Sequence, residues 1–116
     1  MESLVAKDIR NNMPRFQKGN YNKNLELLDG YIAIARDVGC TPAQLALAWI
    51  KSKGDFIVPI PGTRSVSHMR ENLNADTLQL SNDTVNKLDS LINQNTVCGP
   101  RYSSKQQAEI DTEEFT

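Results

Sequence analysis

Hydrophobic side chains recur along this chain first at helical spacing, then as one continuous run, then at helical spacing again. Leu25, Leu28, Ile32 and Ala35 fall on one stripe, with Tyr31 and Val38 beside it, which predicts a helix over 23–38. Arg36 in the last turn suits the helix dipole, and Gly39 just beyond it can take the left-handed stop. Gly30 costs the middle of that helix about 1 kcal/mol relative to Ala. A second helix follows at once. Thr41 is a good N-cap, Pro42 fits the first helical position and Gln44 completes a Thr-x-x-Gln capping box. From Leu45 to Ile50 this helix is apolar nearly all round, so it needs cover on more than one side. Gly54 marks its end.

Phe56, Ile57, Val58 and Ile60 then form a short β-prone run, the kind buried on both faces of a parallel sheet. Pro59 cannot donate to a ladder and fits a central antiparallel strand poorly, so the pattern predicts one short strand over 56–60. Ser65 can cap a third helix over 66–74, with Val66, Met69 and Leu73 on one face. Ser81 caps a fourth over 82–93, striped by Val85, Leu88, Leu91 and Ile92, with Asp83 in its first turn. Residues 1–22 are polar and broken by Pro14 and Gly19, and read as an ordered loop or the tail of something larger. Its Lys7, Arg10, Arg15 and Lys18 read as a solvated surface, with anion contact the alternative. From Val97 the pattern fades. Glu109, Asp111, Glu113 and Glu114 crowd the end, predicting a poorly ordered acidic tail over 97–116. The whole chain, 1–116, is then a single partial domain. A strand bounded by helices belongs to a parallel sheet, yet one strand cannot make a sheet, so the chain reads as part of something larger.

Composition narrows the class. With 116 residues, 39% of them hydrophobic and 23% charged, the chain suits one soluble globular domain. The net charge of −1 gives no reason to expect nucleic acid or an anionic membrane as partner. No apolar run approaches the ~20 residues that span a bilayer, and the first twelve residues hold no continuous apolar stretch of a secretory signal. Cys40 and Cys98 have neither C-x-x-C spacing nor a neighbouring histidine, so zinc is not expected. Two reduced thiols in a cytoplasmic protein are the expectation.

The densest chemistry lies in "IPGTRSVSHMREN", residues 60–72. Gly62 lets the backbone turn sharply or approach a ligand, Thr63 offers a hydroxyl, and Arg64 offers a fork of donors matched to phosphate oxygens. The helix that follows brings free N–H groups and partial positive charge. Together they make a phosphate site at the carboxyl end of a strand, where α/β proteins bind ligands. His68 and Asn72, four apart, share a helix face, with Glu71 beside them. Read blandly, the same residues are an ordinary turn, an ordinary cap and a surface cation.

"CTPAQLALAWIKSKGDFIVPIPGTRSVSHMRENLNA" resembles the carboxyl-terminal part of an aldo/keto reductase. The upstream "DIRNNMPRFQKGNYNKNLELLDGYIAIARDVG" and the downstream "LSNDTVNKLDSLI" and "GPRY" are also similar to that family, so the resemblance covers about residues 7–102. It implies an α/β fold: a carboxyl-terminal fragment of a TIM (β/α)8 barrel, mostly helical here, with its eighth strand at about 56–60. It also removes the oddity of the lone strand, whose neighbours would lie outside this chain. By the same resemblance the cofactor is NADPH. Gly62 and Thr63 match the turn that holds the 2′-phosphate, and Arg64 matches the basic position that contacts it. His68 falls where the family often has Gln or Arg beside the adenine, a departure from the common pattern. Glu71 and Asn72 match the acid-amide pair at the adenine edge. The substrate of the parent would be a small carbonyl compound.

The family's chemistry needs a Tyr, a Lys, an Asp and a His, and all four lie upstream of the matched region. Tyr21, Tyr31 and Tyr102 do not fall at the catalytic position, so no catalytic residue is assigned and the chain alone is expected to be inactive. A piece of a full reductase, the product of a shortened gene, and a free-standing non-catalytic helical module for nucleotide binding or interaction all fit. The first two expect self-association or loose packing, since helix and strand have lost their cover; the last expects a compact monomer.

Overall fold

The computed structural model of the chain describes residues 5–110. Five α-helices are present among them: α1 (Lys18–Val38), α2 (Pro42–Lys51), α3 (Val66–Asn74), α4 (Asn82–Leu91) and the short α5 (Ser104–Gln107). Three 3-10 turns, Ile9–Asn12, Pro14–Phe16 and Ala75–Thr77, complete the regular structure. Of the poorly ordered tail expected over 97–116, residues 111–116 lie outside the described residues, whereas 97–110 are described and carry α5, which the Ser103–Gln106 capping box starts. The chain divides into two compact units, Met1–Glu26 with Gln94–Thr116, and Leu27–Asn93.

In the first unit α1 starts at Lys18, ahead of the expected residue 23, and runs through Gly19. Asn24 brackets Cys98: it donates to the Cys98 carbonyl at 3.0 Å and accepts from its N–H at 2.7 Å. The Arg15 guanidinium donates to the Gly99 carbonyl at 3.1 Å. Asp8, capping the first 3-10 turn, holds Arg10 at 2.6 Å, and this hydrogen-bonded partner lowers the Asp8 pKa to about 2.

The second unit has its own core. Leu45 of α2 is fully buried against Ala35 of α1 and Leu88 of α4, with Tyr31, Ile34, Val38, Cys40, Trp49 and Leu80 around them. The sequence devices that end and start these helices are in place. Gly39, at φ +77°, closes α1 with two bonds, Gly39 N–H to the Arg36 carbonyl and Cys40 N–H to the Ala35 carbonyl. This is the left-handed stop that an L side chain would strain. Thr41 and Gln44 form the reciprocal capping box of α2, and Ser65 and Ser81 cap α3 and α4. A Cβ on Gly30 would sit 3.1 Å from a Leu91 methyl, so the glycine is what lets α4 approach α1 there. On the outer side the Trp49 indole donates to Asp89 at 2.7 Å, and Lys53 reaches both Asp89 oxygens at 2.8 and 2.7 Å. Lys53 also lies 4.5 Å from the Trp49 ring centre. Lys53 and then Trp49 hold the Asp89 carboxyl below its ordinary pKa.

The strand expected over 56–60 is not there: no strand forms among the described residues, and 57–63 run without regular structure. A ladder is a property of two segments, and no second β segment is available among the described residues. Its imprint survives as a period of two. Phe56, Val58 and Ile60 stand 87%, 79% and 94% exposed, while Ile57 and Pro59 are half-buried. The stripe Val66, Met69 and Leu73 on α3 is likewise uncovered. These are the apolar faces that a sheet and its flanking helices would ordinarily bury.

Candidate functional site

The turn after residue 60 and the start of α3 are built by local chemistry. The Thr63 hydroxyl accepts the Ser65 N–H at 3.1 Å, folding the loop back just before the helix. The Ser65 hydroxyl accepts the His68 N–H at 3.3 Å and pairs with the Ser67 hydroxyl at 2.7 Å. The remaining first-turn N–H groups of α3 are left without an intrahelical partner, as at any helix start, and carry the positive end of the dipole.

Beside this turn lies an open, shallow cleft of about 450 Å³. One wall is α2, through Ala43, Ala46 and Leu47; the other is Pro61, Gly62 and Thr63 with His68, Glu71 and Asn72 of α3. Five of the six candidate residues named from the sequence therefore line one cavity. Arg64 does not: it is exposed, outside the lining, and makes no hydrogen bond or ion pair to another described residue. Its guanidinium is uncommitted, one residue beyond Thr63. Small side chains at Ala43 and Ala46 keep the α2 wall low and apolar, while Glu71 and Asn72 present an acceptor and a donor-acceptor amide opposite. A planar apolar ring with a polar edge suits such a slot.

Gln44 does more than its place in the Thr41 capping box announces: its side-chain amide also donates to the Glu71 carbonyl at 3.0 Å. Nothing in the local pattern signals a bond across 27 residues of chain. A larger cleft, about 640 Å³, adjoins through Thr63 and Asn72 and lies between Leu47, Ile57, Met69 and Leu73. It is the gap under the unpaired 57–61 segment.

The three described tyrosines are all engaged elsewhere. The Tyr31 hydroxyl donates to the Pro42 carbonyl at 2.9 Å, and burial pushes its pKa up to about 12. Tyr21 stacks on Phe16 with ring centres 6.0 Å apart, and Arg101 lies 5.2 Å over Tyr102. Among the described residues no group of three or more His, Cys, Asp or Glu side chains gathers to hold a metal, and no helix is long and apolar enough to cross a membrane. Cys40 and Cys98 are free thiols, and burial raises the Cys40 pKa.

Comparison with known proteins gives two findings. Residues 3–93 match the Aldo/keto reductase family. The chain is also 43% identical over 95 residues to "Aldo-keto reductase yakc [NADP(+)]" of Schizosaccharomyces pombe (strain 972 / ATCC 24843). That match takes in 82% of this chain but only 28% of the relative. No solved structure matches the chain.

Proposed function

Because the chain belongs to the aldo/keto reductase family, we propose that it is the cofactor-binding, carboxyl-terminal portion of an NADP-dependent oxidoreductase that reduces small carbonyl compounds, and that it is inactive alone. The observation that carries this reading is the convergence of Gly62, Thr63, His68, Glu71 and Asn72 on one cleft walled by α2. The apolar α2 side of the cleft and its polar α3 side suit the adenosine half of NADPH, with Glu71 and Asn72 at the base edge and His68 beside the ring. Arg64, exposed and unpaired, is free to meet a 2′-phosphate, which NADPH carries and NADH lacks. The nicotinamide of the bound dinucleotide would supply the hydride; the Tyr, Lys, Asp and His that serve it belong to the part of the family fold not matched here. In this reading the 56–60 segment is the eighth strand of a (β/α)8 barrel, and the protein works in the cytoplasm.

The test is binding of adenosine 2′,5′-bisphosphate to the chain, followed by calorimetry or ligand-detected NMR. Weak binding is expected, reduced about tenfold or more in Arg64→Ala, the size of one lost charge-assisted contact. Equal affinity in the two proteins removes Arg64 from the site. Aldehyde-dependent NADPH consumption by the purified chain would refute the inactivity of the fragment. A second reading, a non-catalytic helical module for nucleotide binding or interaction, draws on one observation: the Leu45 core closes among helices without help from any strand. A compact monomer that binds no adenosine phosphate would favour interaction over nucleotide binding.

A further inference from the structure

We propose that Gln44 is a positioning residue for the cleft: its amide ties the start of α2 to the backbone of α3 and sets the register at which Glu71 and Asn72 face Ala43 and Ala46. The ligand side of this inference rests on the adenosine reading of the cleft; the mechanical side does not.

Both ends of the Gln44 amide are in use. Its oxygen accepts the Thr41 N–H at 3.1 Å, and its nitrogen donates to the Glu71 carbonyl at 3.0 Å. Turning the amide over would set donor against donor at Thr41 and oxygen against oxygen at Glu71, so the two partners together dictate its orientation. The Glu71 carbonyl has need of this donor. In a regular helix the Ala75 N–H would bond one turn back to Glu71. Here Ala75 donates to the Asn72 and Leu73 carbonyls instead, as α3 tightens into the 3-10 turn Ala75–Thr77. Glu71 thereby joins the orphan carbonyls of a helix end, and Gln44 satisfies it. The residue so held is itself in the cleft lining, and Asn72 is the next one along.

A second tie joins the same two elements at the far end of α2, where Lys51 pairs with the Asp76 carboxylate and donates to the Asp76 carbonyl at 3.1 Å. That pair is exposed and salt-screened, and Asp76 does not line this cleft. The neutral Gln44 bond is the one placed where the cleft is shaped.

Gln44→Glu separates the two roles. A glutamate keeps the oxygen that caps Thr41, since a capping box takes Glu or Gln, but it has no N–H for Glu71. Gln44→Ala removes both. We expect the α2 amides of Gln44→Glu to exchange with solvent as in wild type, while those of Leu73, Asn74 and Ala75 exchange about two- to tenfold faster, the range for one lost neutral hydrogen bond. Gln44→Ala should loosen both helices. Unchanged α3 exchange in Gln44→Glu overturns the proposal, whatever any ligand does. In wild type, a through-hydrogen-bond coupling between the Gln44 side-chain nitrogen and the Glu71 carbonyl carbon tests the bond with no variant, and its absence is equally fatal. With adenosine 2′,5′-bisphosphate as probe, Gln44→Glu should bind about two- to tenfold more weakly, and an equal Kd overturns the positioning role. If wild type itself takes no probe, the adenosine reading falls and the exchange measurement decides on Gln44.

Discussion

Replacing Leu45 by alanine should unfold more of this protein than any other single truncation. Among the described residues Leu45 is the one large side chain that is 0% exposed, and it joins α1, α2 and α4 through Ala35 and Leu88. The substitution removes three carbons, worth ~2.4 kcal/mol at ~0.8 kcal/mol per buried methylene. The cavity left between the helices raises this to about 3–4 kcal/mol, because neighbours relax only in part. Against a typical domain stability of about 5–15 kcal/mol that is a large share. Urea unfolding followed by far-UV circular dichroism and by Trp49 fluorescence reads it directly, since Trp49 packs on the same cluster. With a slope near ~1.5 kcal/mol/M the midpoint should fall by about 2 M. Ile60→Ala is the control: it removes a comparable side chain that is 94% exposed, and should change stability by no more than about 0.5 kcal/mol. Equal losses in the two variants, or a silent Leu45→Ala, would refute the view that the interhelical core alone holds the Leu27–Asn93 unit together.

Two further outcomes are expected. Tyr31→Phe deletes the bond to the Pro42 carbonyl and should cost about 0.5–1.5 kcal/mol. Burial raises the Tyr31 pKa from 10.0 to about 12, so the stability linked to the protonated phenol is complete below pH 10 and lost as pH climbs towards 12. Melting temperatures across that window should fall more steeply in wild type than in Tyr31→Phe, and parallel curves would rule the linkage out. The uncovered Phe56, Val58 and Ile60 should drive concentration-dependent self-association on a sizing column, and Ile60→Lys should shift it towards monomer. A wild-type monomer at every concentration would show that this edge is inert.

Much of the local architecture was legible. Thr41, Pro42 and Gln44 announce the start of α2, Ser65 and Ser81 the starts of α3 and α4, and Gly39 the stop of α1, because each acts on backbone groups within four residues of itself. The start of α1 was read too late: Gly19 is a weak penalty in a helix of 21 residues, not a boundary. The strand at 56–60 was read from β-prone composition, which signals how a segment would pair but cannot provide the partner.

The same division runs through the candidate site. The sequence alone determined that a glycine, a hydroxyl, a guanidinium and a capped helix follow one another over residues 62–66, since capping is a matter of neighbouring backbone groups and side-chain reach. Only the tertiary structure decided that Gly62, Thr63, His68, Glu71 and Asn72 share a cleft with Ala43, Ala46 and Leu47, and that Arg64 stands outside it. It alone turned Gln44 from a cap into a bridge. The reason is distance along the chain: a contact between α2 and α3 depends on how two helices pack, and no local pattern carries that angle or spacing.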